Sequence, residues 1–318
     1  MKQSFYRDFE DRFRGSREAV ARRLRNYSGF VEPIANLYRG GSVLDVGCGR
    51  GEWLEWMDLL EFQPRGIDLD EGMLNDCREL GLEVVMGDGV QYLKTVETES
   101  LAIISAIHVV EHIPFESLTS FIQDSLRALK PGGILVMETP NPENILVSTQ
   151  NFYLDPTHTR PIPADLLVFL TEHSGFKRNK ILRLNESSAI HDLKSPSLLD
   201  VLGGVSPDYG VVAQKAAKQA IYGVLDEAFN REYGVGLYGL ASRYDERMRE
   251  NENQARDAYL EALDAQSTCK DARNKAEDAQ ERARVAIHRS DEARLIAIDA
   301  QSTVEDARAK AEDAQDTA

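Results

Sequence analysis

The sequence predicts an α/β domain, a mostly parallel sheet with helices on both faces and an antiparallel closing pair, followed by a long α-helical coiled coil. Two observations carry this. Between residue 41 and about 184, short apolar runs alternate with amphipathic stretches, the order expected of strands joined by crossover helices. From residue 251 onward, small residues recur at spacings of three and four without a break.

Residues 1–40 read as an N-terminal helical cap. Phe5, Phe9, Phe13, Val20, Leu24 and Tyr27 fall near helical spacing. Lys2, Arg7, Arg12, Arg14, Arg17, Arg22, Arg23 and Arg25 make this stretch basic, either as a patch for an anionic substrate or membrane surface, or as the solvated face of a helix. Residues 41–215 form the main domain. SVLDVG, PRGIDL, LEVVMGD, LAIISAIH and GILVMET are five successive strands. WLEWMDLLE, EGMLNDCRELG and ESLTSFIQDSLRALK are the helices between them. FKRNKILRLN and DYGVVAQK supply the antiparallel pair. Residues 216–250 are a helical connector.

Residues 251–318 are an Ala-rich heptad repeat. The small residues run from Ala255 to Ala318 and are all Ala except Cys269, Ser290 and Val304. AQSTCKDARNKAEDAQ at 265 recurs as AQSTVEDARAKAEDAQ at 300. An unbroken 3.5-residue period winds helices into a left-handed supercoil. An Ala seam buries little apolar area, and at roughly 25 cal/mol per Å² it gains less than a Leu/Ile zipper. A homo-oligomer is therefore expected, with a single solvated Ala-rich helix as the alternative. The pattern is still running at Ala318, which points to a chain that is cut short or continues into another module.

Composition narrows the function classes. The chain has 318 residues, 42% of them hydrophobic, so at least one domain has a real core. The net charge of −16 argues against a nucleic-acid partner. No apolar run is long enough to span a membrane, and MKQSFYRDFEDRFRGS has no apolar signal core. The cysteines, Cys48, Cys77 and Cys269, follow no zinc or disulfide spacing. A cytoplasmic protein is expected, peripheral at most to the inner face of the membrane.

The chemistry begins at VLDVGCGRGEWL, where an apolar strand runs into a turn with Gly47, Gly49 and Gly51. A nicotinamide fingerprint places its third glycine one residue later, so this is a different motif. With Asp45 ahead of it, the stretch resembles motif I of the Rossmann-like S-adenosylmethionine-dependent methyltransferases. GIDLD, GDG and LKPGGILVMETPNPEN follow in the order of that fold, over roughly residues 40–190. The resemblance implies that the glycines pass under the methionine part and that Asp45 holds its ammonium, directly or through water. It implies that Asp68, with Leu69 beside it, takes the ribose hydroxyls. It implies that Asp88 accepts from the adenine amino group, with Gly89 or Val90 offering a backbone N–H. Read only as structure, Asp68 and Asp88 cap the helices that follow.

Four further stretches, HVVEHIPF, METPNPENI, FYLDPTHTRPIP and YGVGLYGLASRYD, resemble bacterial polysaccharide-biosynthesis methyltransferases. With the heptad repeat, the chain is similar in logic to O-antigen chain terminators of the WbdD type. The resemblance implies O-methylation of a sugar hydroxyl at the end of a surface-polysaccharide chain, on a lipid-linked glycan acceptor. The coiled coil would then serve as oligomerisation element or length-determining spacer, with a glycosyltransferase as a further partner. No kinase motif is present.

The reaction needs an aligned acceptor and help with one proton. In doubly wound sheets ligands sit beyond the carboxyl ends of the strands. His108, Glu111 and His112 follow the fourth strand; Asp155, His158 and Arg160 follow the fifth. Three readings are open. In the first, His108, Glu111 and His112 hold a divalent metal, a partial match to the Glu-x-x-Glu-His pattern of quinone O-methyltransferases. In the second, there is no metal: His158 is the base with Asp155 near it, Arg160 binds the acceptor, and His108 lines the cofactor pocket close to the transferred methyl. In the third, Glu111 and His112 only shape the loop. The metal-free reading leads. Two other functions remain open, a small-molecule O-methyltransferase of the quinone-precursor type and a coiled-coil scaffold with a degenerate methyltransferase domain.

Overall fold

The computed structural model of the chain describes residue 12 and residues 15–316. Phe5, Phe9 and Phe13, on which part of the N-terminal helical expectation rests, lie outside the described residues. Two helices follow them, α1 (Arg17–Leu24) and α2 (Ser28–Leu37).

The sheet has seven strands: β1 (Ser42–Val46), β2 (Gln63–Asp68), β3 (Val84–Met86), β4 (Leu101–Ile107), β5 (Leu129–Pro140), β6 (Arg178–Leu184) and β7 (Asp208–Gln214). Their order is β3-β2-β1-β4-β5-β7-β6. β1 to β5 are parallel, and β7 runs antiparallel to both β5 and β6. Strand order reverses between β1 and β4, the place where an open parallel sheet leaves a crevice at its carboxyl edge.

The crossover helices are α3 (Glu52–Leu59), α4 (Glu71–Glu79), α5 (Gly89–Thr95), α6 (Phe115–Ala128) and α7 (Ala164–Ser174). α5 and α7 were not singled out in the sequence. α5 has only seven residues, too few for a clear 3.6 period. The Pro-Gly-Gly of LKPGG lies inside β5 rather than in a turn before it.

The central strands read as unbroken apolar runs because both of their faces are covered. Along β4, Leu101, Ile104 and Ala106 meet α6 and α7 on one side. Ala102, Ile103 and Ile107 meet α1, α2 and α3 on the other. On α6, Leu118, Phe121 and Ile122 share one stripe and are almost wholly buried, each contributing about 1.5–3 kcal/mol. Tyr27, Phe30, Val31 and Ile34 are fully buried. The N-terminal helices are thus part of the sheet's own core. Gly210 on β7 permits this close approach, since a Cβ there would overlap the Tyr27 hydroxyl. Part of the basic stretch also packs: Arg25 stacks 4.5 Å over Trp56, and Arg17 bonds to Glu55 at 2.6 Å.

Short helical turns over 219–230 bring Leu225 and Ala228 into the same core. The first compact unit runs to Arg247 and the second comprises Met248–Ala318. The second unit is a single helix, the continuation of α8 (Leu237–Asp316), about 120 Å long in all at about 1.5 Å per residue. From Met248 to residue 311 its side chains are exposed, Leu260, Leu295 and Ile296 among them. Among the described residues no helix is long and apolar enough to cross a membrane.

Candidate active site

The crevice at the carboxyl edge of β1, β2 and β4 is a cleft of about 470 Å³, within the range of small-molecule sites. The glycine turn forms its floor. Gly47 and Gly51 have φ of +70° and +86°, a left-handed backbone that favours glycine. A Cβ at Gly47 would also overlap Val109 from the loop after β4.

Asp68, at the end of β2, accepts the Gly49 N–H at 2.9 Å and the Asp70 N–H at 2.8 Å. It therefore ties the glycine turn to the neighbouring strand. Asp88 caps α5, its Oδ1 accepting from Val90 at 2.8 Å and Gln91 at 3.1 Å. Both carboxylates line the cleft, together with Leu69, Gly89 and Val90. The cap of α4 is Asp70, not Asp68.

Asp45 lies apart from them. It is 3% exposed and accepts the Ser105 hydroxyl at 2.7 Å. It faces a compartment of about 30 Å³ beneath α1, which shares Gly47 and Gly49 with the main cleft.

HVVEHI splits into two clusters. His108 has φ +55° and donates its N–H to the Glu138 carbonyl at 2.8 Å. Its Nδ1 is 3.3 Å from Glu111 Oε1, and its Nε2 is 3.4 Å from Glu138 and 3.9 Å from Asp208. Burial alone would lower its pKa, but the bonds to Glu111 and Glu138 and the charge of Asp208 push it up to about 10. The ring is an imidazolium caged by carboxylates. Tyr27 donates to Glu138 at 2.7 Å, and Asn185 donates to Asp208 at 2.8 Å.

The second cluster holds Glu111, His112 and His158, whose ligand-capable atoms all lie within 4.8 Å of one another. The two imidazole centroids are 4.6 Å apart. His158 Nδ1 meets the Phe152 carbonyl at 2.6 Å, and His112 Nδ1 meets the Thr157 hydroxyl at 2.9 Å. Thr157 donates to Asp155 at 2.6 Å. Burial holds His112 below its ordinary pKa. His112 and Thr157 line the cleft, so this cluster borders the cofactor space. Arg160 is exposed and stacks 4.7 Å over Phe115.

Residues 13–179 match the family model described as a methyltransferase domain. A solved structure of a SAM dependent methyltransferase from Archaeoglobus fulgidus shares 32% identity and a TM-score of 0.59, covering 66% of this chain and 100% of that one. The chain belongs to this methyltransferase family. Among curated relatives, a probable S-adenosylmethionine-dependent methyltransferase of Mycolicibacterium smegmatis is 26% identical over 171 residues, 54% of this chain and 65% of that protein. A ubiquinone biosynthesis O-methyltransferase of Xanthomonas oryzae is 36% identical over 107 residues, 32% of this chain and 44% of that protein. The chain therefore spans about half to two thirds of the length of these relatives.

The methyltransferase domain fits S-adenosylmethionine. The cleft has the volume, the glycine turn brings bare backbone to its floor, and Asp68 and Asp88 stand on its wall as acceptors. Asp45 reaches the glycine end only from its own small compartment.

Three expectations about catalytic residues change. His108 lines the cleft, and its ring stands between Glu111, Glu138 and Asp208, which favour its charged form. It also does not share a donor set with His112, since its nitrogens face Glu111 on one side and Glu138 and Asp208 on the other. Glu111 and His112 are joined instead by His158, from the loop after β5. Third, Arg160 does not line the cleft and is stacked over Phe115. Glu138, Asp208, Tyr27 and Thr157 were not singled out. METPNPEN contains Glu138, but its role depends on the β4–β5 register that sets Ile107 beside it.

Proposed function

We propose that the chain is an S-adenosylmethionine-dependent O-methyltransferase acting on a sugar hydroxyl of a surface-polysaccharide chain, with α8 as oligomerisation element or spacer. The observation that carries this is a convergence. HVVEH supplies Glu111 and His112, and FYLDPTHTRP supplies Phe152, Asp155, Thr157 and His158 to the same cluster at the cleft wall. Both stretches resemble the polysaccharide methyltransferases. In this reading they build the place where the acceptor hydroxyl meets the cofactor.

S-adenosylmethionine supplies an electrophilic methyl group on a sulfonium. Asp68 and Asp88 hold the nucleoside end, and the glycine turn lets the other end lie against backbone. Methyl transfer needs the acceptor oxygen in line with the C–S bond. The new C–O bond forms as the C–S bond breaks and its electron pair stays on sulfur. The hydroxyl proton leaves on the side of Glu111, His112 and His158, whose lone pairs make this wall the basic one. Arg160 and Phe115 form a rim suited to a polar ring, one face stacked and one edge hydrogen-bonded.

The acceptor in this proposal is a lipid-linked glycan, which places the enzyme in the cytoplasm at the inner membrane face beside a glycosyltransferase. A second reading, a small-molecule O-methyltransferase, draws support from relatives named as ubiquinone biosynthesis enzymes. The scaffold reading draws no support from a cleft lined by the glycine turn, Asp68 and Asp88. Radiolabelled methyl transfer decides between acceptors. Label in a lipid-linked glycan and none in soluble catechols supports the proposal; the reverse pattern sinks it.

A further inference from the structure

Glu111 is 0% exposed, and its Oε2 receives no hydrogen bond. A buried carboxylate oxygen without a donor is costly, and such atoms in native folds call for a partner. The two imidazoles beside it cannot be that partner. A carbonyl only accepts, so His158 Nδ1 carries the proton that meets Phe152 O at 2.6 Å. The Thr157 hydroxyl spends its one proton on Asp155 at 2.6 Å, so it accepts from His112 Nδ1. In each ring the bond made by Nδ1 leaves Nε2 to offer a lone pair. His158 Nε2 stands 4.0 Å from Glu111 Oε1 and 3.9 Å from Asp155 Oδ2, too far for hydrogen bonds. The wall thus gathers the two Nε2 atoms and the unpartnered Glu111 Oε2.

The adjacent cluster supplies the contrast. His108, Glu138 and Asp208 are also grouped closely enough to hold an ion. There, however, the carboxylates have donors of their own: Tyr27 donates to Glu138 and Asn185 to Asp208. That cluster is satisfied by its own protons.

We propose that Glu111, His112 and His158, with Asp155 as a fourth donor, bind one divalent transition-metal ion at the acceptor end of the cleft. The outer bonds are those of metal-ligating histidines, whose second ring nitrogen is held by a carbonyl or by a carboxylate relay. Two imidazoles with carboxylates select a transition metal such as Zn²⁺ over Mg²⁺. Metal–ligand distances of about 2.0–2.2 Å require the donors to close by only some tenths of an ångström to one or so ångström. The ion would lower the pKa of a coordinated acceptor hydroxyl. His158 is then a ligand and not the base. The inference rests on the proposed function for what the ion does, not for whether it binds.

The test is isothermal titration of the full chain, stripped with chelator, with Zn²⁺ and separately with Mg²⁺. One Zn²⁺ site per chain is expected, with Mg²⁺ at least tenfold weaker. His158→Ala removes the site. Thr157→Val, a near-isosteric change that replaces no ligand but removes the hydroxyl bonded to His112 and Asp155, weakens it about 10–100-fold. His191→Ala, at the remote Glu186 pair, leaves it unchanged. No saturable Zn²⁺ binding, or equal binding by wild type and His158→Ala, overturns the proposal. S-adenosylhomocysteine is titrated into the same samples. Zn²⁺ binding without nucleoside binding would retain the metal site and sink the methyltransferase reading; the opposite result would do the reverse.

Discussion

The Tyr27 hydroxyl donates to Glu138 Oε2 at 2.7 Å, joining the N-terminal helices to the end of β5 and so to the cage around His108. Both residues are buried, and Gly210 leaves the ring its space. Tyr27→Phe keeps the packing and removes the donor. Hydrogen bonds to charged groups contribute about 1.5–3 kcal/mol, and a buried acceptor is left short. We expect a loss of that size in urea unfolding. A change under about 0.5 kcal/mol would mean that the bond does not form.

His108 is expected to act through its charge. His108→Asn retains a residue type that tolerates the left-handed backbone but removes the cation from among Glu111, Glu138 and Asp208. Breaking such a buried arrangement costs about 3–5 kcal/mol. Denaturant midpoints should fall accordingly at neutral pH. Lost activity with unchanged stability would return His108 to a direct catalytic role.

Asp68 is expected to govern nucleoside affinity. Asp68→Asn removes a charge-assisted acceptor and leaves one oxygen, enough for only one of the Gly49 and Asp70 N–H groups, which meet different carboxylate oxygens. Titration with S-adenosylhomocysteine should show affinity lower by roughly 10–100-fold, in line with about 1.5–3 kcal/mol for such bonds. Unaltered affinity would remove Asp68 from the cofactor site.

Glu143 accepts a two-pronged contact from Arg183, at 2.7 and 2.8 Å, and the guanidinium holds its carboxyl below the ordinary value. A carboxylate whose pKa is depressed by folding stabilises the fold above its unfolded value. That contribution is lost as pH falls through the folded value. The pair is partly exposed, so its worth is about 1 kcal/mol or less. The stability gap between wild type and Glu143→Gln should therefore be present at pH 7 and close on acidification. A gap that widens toward low pH would contradict this sign.

Removing residues 251–318 tests the proposed role of the heptad repeat. The first compact unit ends at Arg247, so its core is untouched. Methyl transfer should survive, the mass in light scattering should fall to that of a monomer, and polysaccharide chain lengths in cells should spread. Unchanged mass would rule out assembly through this helix.

The sequence by itself determined the strand–helix alternation, the antiparallel pair, the glycine turn, the order of Asp68 and Asp88, and the long terminal helix. These depend on periods of 2 and about 3.6 residues and on backbone demands at single glycines, all carried locally along the chain. The tertiary structure alone decided how HVVEHI divides. β5 places Glu138 beside Ile107, and antiparallel pairing brings Asp208 at the start of β7 opposite Pro140. His108 is thereby held, half-buried, among three carboxylates that raise its pKa. The loop after β5 folds back so that His158 and Thr157 reach His112. The charge of an imidazole and its tautomer follow from which donors and acceptors surround it, and those neighbours come from segments tens of residues apart. The spacing of two histidines in six residues contains none of that information.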